Sequence, residues 1–164
     1  MKKLVTLYGG EIFAIPLFVS DIPSNKSFSR NKFEDKGKEF VFCRIIEDKE
    51  GGGFFAEIFD LVGSLDQNLE SIITAKRLFR PLAISGIGIY KKRWKKLYTQ
   101  VPYDKEKNSN ASNIQLVLGT NDDLYLWENG KKTPVSEEEA TKYEMWKIWM
   151  PSQLEKRIIE ELFD

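Results

Sequence analysis

The chain has 164 residues, 41% of them apolar and 30% charged, a composition that folds without help from disulfides or metal. Lysine plus arginine and aspartate plus glutamate each number 25, so no global field draws the chain to nucleic acid or an anionic membrane. With no histidine and one cysteine, it cannot build a Ser-His-Asp or Cys-His pair, an HExxH helix, a Cys/His zinc cage or an internal disulfide.

Taken in chain order, Lys3 to Tyr8 and Glu11 to Val19 read as strands joined at Gly9-Gly10, a pair able to supply the positive φ of a tight hairpin. Met1 to Val5 lacks the long apolar region and small-residue cleavage site of a signal peptide, and no run approaches the length of a membrane helix. A cytoplasmic protein is expected. Pro16 removes one ladder hydrogen bond and points to an edge or a bulge. Ser20 to Lys38, rich in Ser, Asn, Lys and Asp, reads as a long mobile loop. Glu39 to Asp48 and Phe54 to Val62 are β-branched and aromatic, so they should pair antiparallel around Gly51-Gly52-Gly53. Cys43, inside Phe40-Val41-Phe42-Cys43, reads as a buried, inert thiol.

Ser64 is an N-cap candidate for a short helix, although Ile72-Ile73-Thr74 also suits a strand. Pro81 to Tyr90 reads as an apolar strand broken by two glycines, and Val101 to Ser112 as a loop. Asn113 to Gly119 and Asp123 to Glu128 read as strands, the second ending in the turn signal Asn129-Gly130. Ser136 to Glu139 has capping-box spacing, with Ala140, Tyr143, Trp146 and Ile148 on one approximate helical face. A second helix should open at Pro151-Ser152 and pack through Leu154, Ile158, Ile159 and Leu162. The expected fold is α+β: a mostly antiparallel twisted sheet or partly closed β-barrel, with C-terminal helices packed on it, in one domain spanning residues 1–164.

Little in the chain resembles catalytic chemistry. Gly51-Gly52-Gly53 lacks the Lys-Ser/Thr of a phosphate loop, and Gly86-Ile87-Gly88 is half a dinucleotide fingerprint with no helix expected after it. Glu11, Glu57, Asp60, Asp122 and Asp123 lie on or beside strands, but no spacing singles out a catalytic pair. No cofactor or metal is expected, and a non-enzymatic role is favoured.

The sharpest local feature is Tyr90-Lys91-Lys92-Arg93-Trp94-Lys95-Lys96-Leu97-Tyr98, five cations interleaved with three aromatics. It lies within Ser71 to Tyr103, a stretch of eight basic residues and no acidic one. The candidate partner-binding residues are therefore Tyr90, Lys91, Lys92, Arg93, Trp94, Lys95, Lys96 and Tyr98. Such a surface can anchor an acidic protein, or hold phosphates and stack unpaired bases as a single-stranded nucleic-acid-binding module. The bland alternative is a half-exposed strand whose Tyr90, Trp94 and Tyr98 face the core while the lysines are solvated.

Several blocks in order carry a family resemblance. Gly10-Glu11-Ile12-Phe13-Ala14-Ile15-Pro16-Leu17 resembles the opening of the bacterial immunity protein 26 family of polymorphic toxin systems. Phe40 to Ile46, Phe59-Asp60-Leu61, Arg93-Trp94 and Leu124 to Gly130 resemble successive strands of that family, and Tyr143 to Ile158 resembles its terminal pattern of a short helix, a Trp and a Glu-x-Arg helix. The chain departs from the family in a longer Ser20 to Lys38 loop, and in having only Gly51 to Gly53 where a glycine-rich aromatic segment is expected. The resemblance implies a cytoplasmic protein that binds and neutralises a cognate toxin. It implies no catalytic residues.

Overall fold

Two apolar runs that alternate in neither polarity nor size make the centre of the fold, because both faces of their sheet are covered. The structure, a computed structural model, describes residues 6–28 and 39–163. The elements are β1 (Glu11–Pro16), β2 (Phe40–Asp48), β3 (Phe54–Gly63), α1 (Leu69–Ile73), β4 (Leu82–Ile84), α2 (Ile87–Tyr90), β5 (Lys95–Thr99), α3 (Lys105–Ser109), β6 (Gln115–Thr120), β7 (Asp123–Glu128), β8 (Lys131–Val135), α4 (Glu137–Ala140), β9 (Glu144–Met145), β10 (Ile148–Trp149) and α5 (Pro151–Phe163).

The fold is α+β and mostly antiparallel with a C-terminal helix packed on it, as expected; its strands divide into two mixed sheets and close no barrel. Six strands in the order β10-β4-β3-β2-β1-β5 form one sheet, and β8-β7-β6-β9 form the other. The pairs β10–β4 and β6–β9 are parallel; the remaining pairs are antiparallel. On one face of the larger sheet Phe13, Ile15, Val41, Cys43 and Ile45 pack with Leu154 and Ile158 of α5. On the other, Ile12, Ala14, Phe40, Phe42 and Phe59 pack with Ile72 of α1. A third cluster, in which Phe55 and Ala83 meet Ile114 and Leu116, joins the sheets. Phe55, Trp127 and Trp146 seal it, with ring centroids 5.1 to 5.5 Å apart.

The β2–β3 hairpin, the strands β6 and β7, the Ser136 cap and the α5 packing residues Leu154 and Ile158 agree with the sequence reading. Asn129 and Gly130 both take positive φ, as that turn requires, and lead into β8, which the sequence reading missed.

Other expectations are corrected. Lys3 to Val5 lies outside the described residues, and Thr6 to Tyr8 is not a strand. Glu11 turns its carboxylate back onto the Tyr8 N–H, and β1 takes the distant strands β2 and β5 as its neighbours instead. Pro16, expected at an edge or bulge, ends a strand flanked on both sides; β5 covers only Glu11 to Ala14, so the missing N–H costs no bond on that side. The strand expected to reach Val19 ends at Pro16; of the expected loop Ser20 to Lys38, residues 29–38 lie outside the described set, while Phe28 is buried. Asn68, not Ser64, caps α1. The strand expected over Pro81 to Tyr90 stops at Ile84 and gives way to α2. The helix read through Ile148 ends at Ala140. Trp146 is drawn into the aromatic cluster and donates to the Gly52 carbonyl at 2.9 Å, while β9 and β10 close the edges of the two sheets.

Candidate functional site

The basic-aromatic segment is divided between interior and surface. The Gly88 carbonyl accepts the N–H of both Arg93 and Trp94, at 2.8 and 3.1 Å, turning the chain sharply inward after α2. Arg93 is fully buried and Trp94 is 2% exposed. The Arg93 guanidinium donates from Nε and Nη2 to the Glu155 carboxylate at 2.8 and 2.6 Å, and to the carbonyls of Val19 and Pro23 at 2.7 and 3.0 Å. Trp94 Nε1 donates to the same carboxylate at 2.9 Å. Every strong donor here has a partner, which is what makes a buried charge tolerable. The pair ties β5, α5 and the segment after β1 into one rigid base.

On that base the remaining candidates are displayed. Tyr90 is 46% exposed at the end of α2, with Lys91 Nζ 5.4 Å above its ring. Lys92 is exposed in a left-handed turn with φ of 61°. Lys95 and Lys96 open β5, exposed and cross-strand from Ala14 and Phe13, so they leave opposite faces of the sheet. Tyr98 is half-buried and donates its hydroxyl to the Gln67 carbonyl at 2.6 Å. The interior readings of Trp94 and Tyr98 therefore hold, whereas Tyr90 faces solvent.

Internal pairing sorts the eight cations of Ser71 to Tyr103. Lys76 meets Asp60 at 3.6 Å, Arg77 meets Glu57 at 3.0 Å, Arg93 meets Glu155 and Lys96 meets Glu11 at 2.9 Å. Arg80, Lys91, Lys92 and Lys95 have no carboxylate within ion-pair reach among the described residues, Arg80 donating instead to the Lys142 carbonyl at 2.8 Å. The uncompensated charge is thus concentrated on the turn and the start of β5.

A second buried network shapes the far end of β5. Glu57 accepts from Arg44 Nε at 2.9 Å, Arg77 Nε at 3.0 Å and Ser109 Oγ at 2.5 Å. Arg44 also donates to Gln100 Oε1 and the Asn108 carbonyl, at 2.8 and 2.9 Å, and Tyr103 donates to Ser109 Oγ at 2.6 Å. Burial pushes the Tyr103 hydroxyl's pKa up. This network anchors the loop after β5. It leaves Val101 81% and Tyr8 69% exposed on either side of the 2.9 Å bond from Gln100 N–H to the Gly10 carbonyl. Neither residue carries a sequence signal of exposure, because each lies in an ordinary apolar or turn context.

Three of the five carboxylates weighed for catalysis are held in ion pairs. Glu57 sits between two guanidiniums, and Glu11 and Asp60 are paired with lysines. Among the described residues no three His, Cys, Asp or Glu side chains are grouped so as to hold a metal, and no helix is long and apolar enough to cross a membrane. Gly86-Ile87-Gly88, expected to lack a helix, runs into α2, a single turn whose Gly86 cap makes no side-chain hydrogen bond.

No curated protein and no solved structure matches the chain. A family model described as Immunity protein 26 matches residues 9–124. The match takes in the Gly10 to Leu17, Phe40 to Ile46, Phe59 to Leu61 and Arg93-Trp94 blocks, and stops at Leu124, short of the C-terminal block that also carried the resemblance. It covers well over half of the chain, including β1 to β5 and the Arg44–Glu57–Arg77 network. By that match, the chain belongs to the immunity protein 26 family.

Proposed function

We propose that this protein is a cytoplasmic, non-enzymatic immunity protein, which binds a cognate bacterial toxin of a polymorphic toxin system and blocks its active surface. The observation that carries this reading is the family match over residues 9–124. The docking face we assign is the basic surface of Tyr90, Lys91, Lys92, Lys95 and Lys96, of whose lysines only Lys96 has a carboxylate partner among the described residues, with Arg93, Trp94 and Tyr98 holding it in place from beneath. A stable complex buries about 800 Å² on each partner, an area that extends beyond these residues toward Tyr8 and Val101. An acidic surface on the toxin is what a cluster of lysines complements.

The nucleic-acid reading loses its main stacking platform, since Trp94 is buried and bonded through its ring nitrogen.

The test is co-expression with the toxin encoded beside this chain's gene. Cells carrying the immunity protein should survive toxin induction, and the two proteins should co-purify. Lys92→Glu combined with Lys95→Glu should weaken the complex by about ten- to a hundred-fold while leaving the circular dichroism spectrum unchanged. Failure of the intact chain to protect would remove the function; full affinity in the double variant would move the docking face elsewhere.

A further inference from the structure

We infer that the toxin engages this face by adding an acidic extended strand to the outer edge of β5, so that main-chain pairing, not side-chain charge alone, sets the binding register. The inference rests on the immunity reading and deepens it by naming the form of the partner's contact.

The strand β5 ends the six-stranded sheet, and among the described residues its one strand neighbour is β1. Apart from the bulge that leaves Leu97 without a partner in β1, N–H and C=O groups of Lys95–Thr99 that do not bond β1 point away from it, and such a row is a template for another strand. The edge is held rigid at both ends. Arg93 and Trp94 are locked by Glu155 just before it, and Gln100 is bonded to Gly10 and to Arg44 just after it. A preformed edge loses little entropy when a strand pairs with it.

Charge decides which strand fits. Lys95 and Lys96 leave opposite faces of the sheet, and the β5 edge of a second copy of this chain, Lys95–Thr99, would bring more lysine and no carboxylate to either face. A strand carrying carboxylates on both faces is instead favoured twice over. On the β1 side the sheet already contains this solution, since Lys96 Nζ lies 2.9 Å from the cross-strand carboxylate of Glu11. A new strand would repeat the pattern on the outer side, where Lys95 has no carboxylate partner among the described residues. The exposed apolar residues Tyr8 and Val101 stand at the Thr99 end of the edge, and give a strand that overruns it something to bury.

The probe is a capped eight-residue peptide, Thr-Thr-Glu-Glu-Thr-Thr-Glu-Glu, which as a strand carries carboxylates on both faces, titrated into the isotope-labelled full chain and followed by amide chemical shifts. A control peptide of the same sequence is N-methylated at every residue, which keeps its charge and removes its main-chain donors. The expected result is saturable shifts concentrated on Lys95–Thr99, with the methylated peptide at least about ten-fold weaker. A threonine–lysine peptide should not bind. Equal binding of the two acidic peptides would overturn strand addition while leaving charge-based recognition of the toxin intact. Shifts confined to other parts of the chain, or no binding, would also overturn it. Failure of the immunity reading itself would show separately, as loss of protection by the intact chain in co-expression.

Discussion

Arg93 shows how much a residue's role depends on neighbours that are distant in sequence. It stands among four lysines and reads as surface charge, yet its five-donor guanidinium is spent on Glu155 and on two carbonyls of the segment after β1. Arg93→Met should lower unfolding free energy by about 3 to 5 kcal/mol, because Glu155 is left buried without its cation. Adding Glu155→Leu should restore part of the loss. Urea denaturation with an unchanged m-value would verify both, and a single variant as stable as the parent would contradict the ion-pair account. Cys43 behaves as its apolar surroundings predict: burial pushes its thiol up from 9.0 to about 12. At pH 8 a thiol reagent should label it only after denaturation. Because the folded pKa lies above that of a free thiol, its stabilising contribution is whole below about pH 9 and is lost as pH rises toward 12. Relative to Cys43→Ala, the parent should therefore lose about 1.4 kcal/mol per pH unit over that window; parallel stability curves for the two proteins would refute it.

At the scale of elements, the hairpin between β2 and β3 illustrates which local features could be read in advance. Its two strands are long, apolar and β-branched, and three consecutive glycines mark the turn. The specific demands differ along that turn. Gly51 has φ of 92° with open space where a Cβ would go, whereas Gly53 has φ of 86° and a Cβ there would lie 2.9 Å from the Ile84 carbonyl of β4. Gly51→Ala should cost about 1 kcal/mol from backbone conformation alone. Gly53→Ala should cost about 2 to 3 kcal/mol, since it also pushes β4 away; equal costs in thermal unfolding would show that the close approach does not matter. The elements that sequence reading mistook are the short ones. The segments β9 and β10 hold two residues each, too few for any periodicity, and exist because β6 and β4 offer them open edges. The run from Ala140 to Ile148 has an approximate helical face, but the packing of Trp146 between Phe55 and Trp127 outweighs that weak preference.

For the whole molecule, a net charge of zero conceals an uneven field. The cations of Ser71 to Tyr103 are partly cancelled by Asp60, Glu57, Glu155 and Glu11, and of the four that remain, Arg80 stands apart while Lys91, Lys92 and Lys95 gather around the turn into β5. If this face docks an acidic partner, association with the toxin should slow by about ten-fold between about 0.02 M and 0.3 M salt, while dissociation changes less. Stopped-flow rates independent of salt would place docking elsewhere. What the sequence determined by itself was the α+β class, the central hairpins, the terminal helix and the family blocks, because these follow from local periodicity, turn residues and capping. Long-range packing, by contrast, set the division into two sheets, the position of β5 at an edge and the choice of which cations face solvent. Those outcomes depend on pairings between residues 11 and 99 or 93 and 155, and no local preference encodes the partner that a strand edge or a buried charge will find.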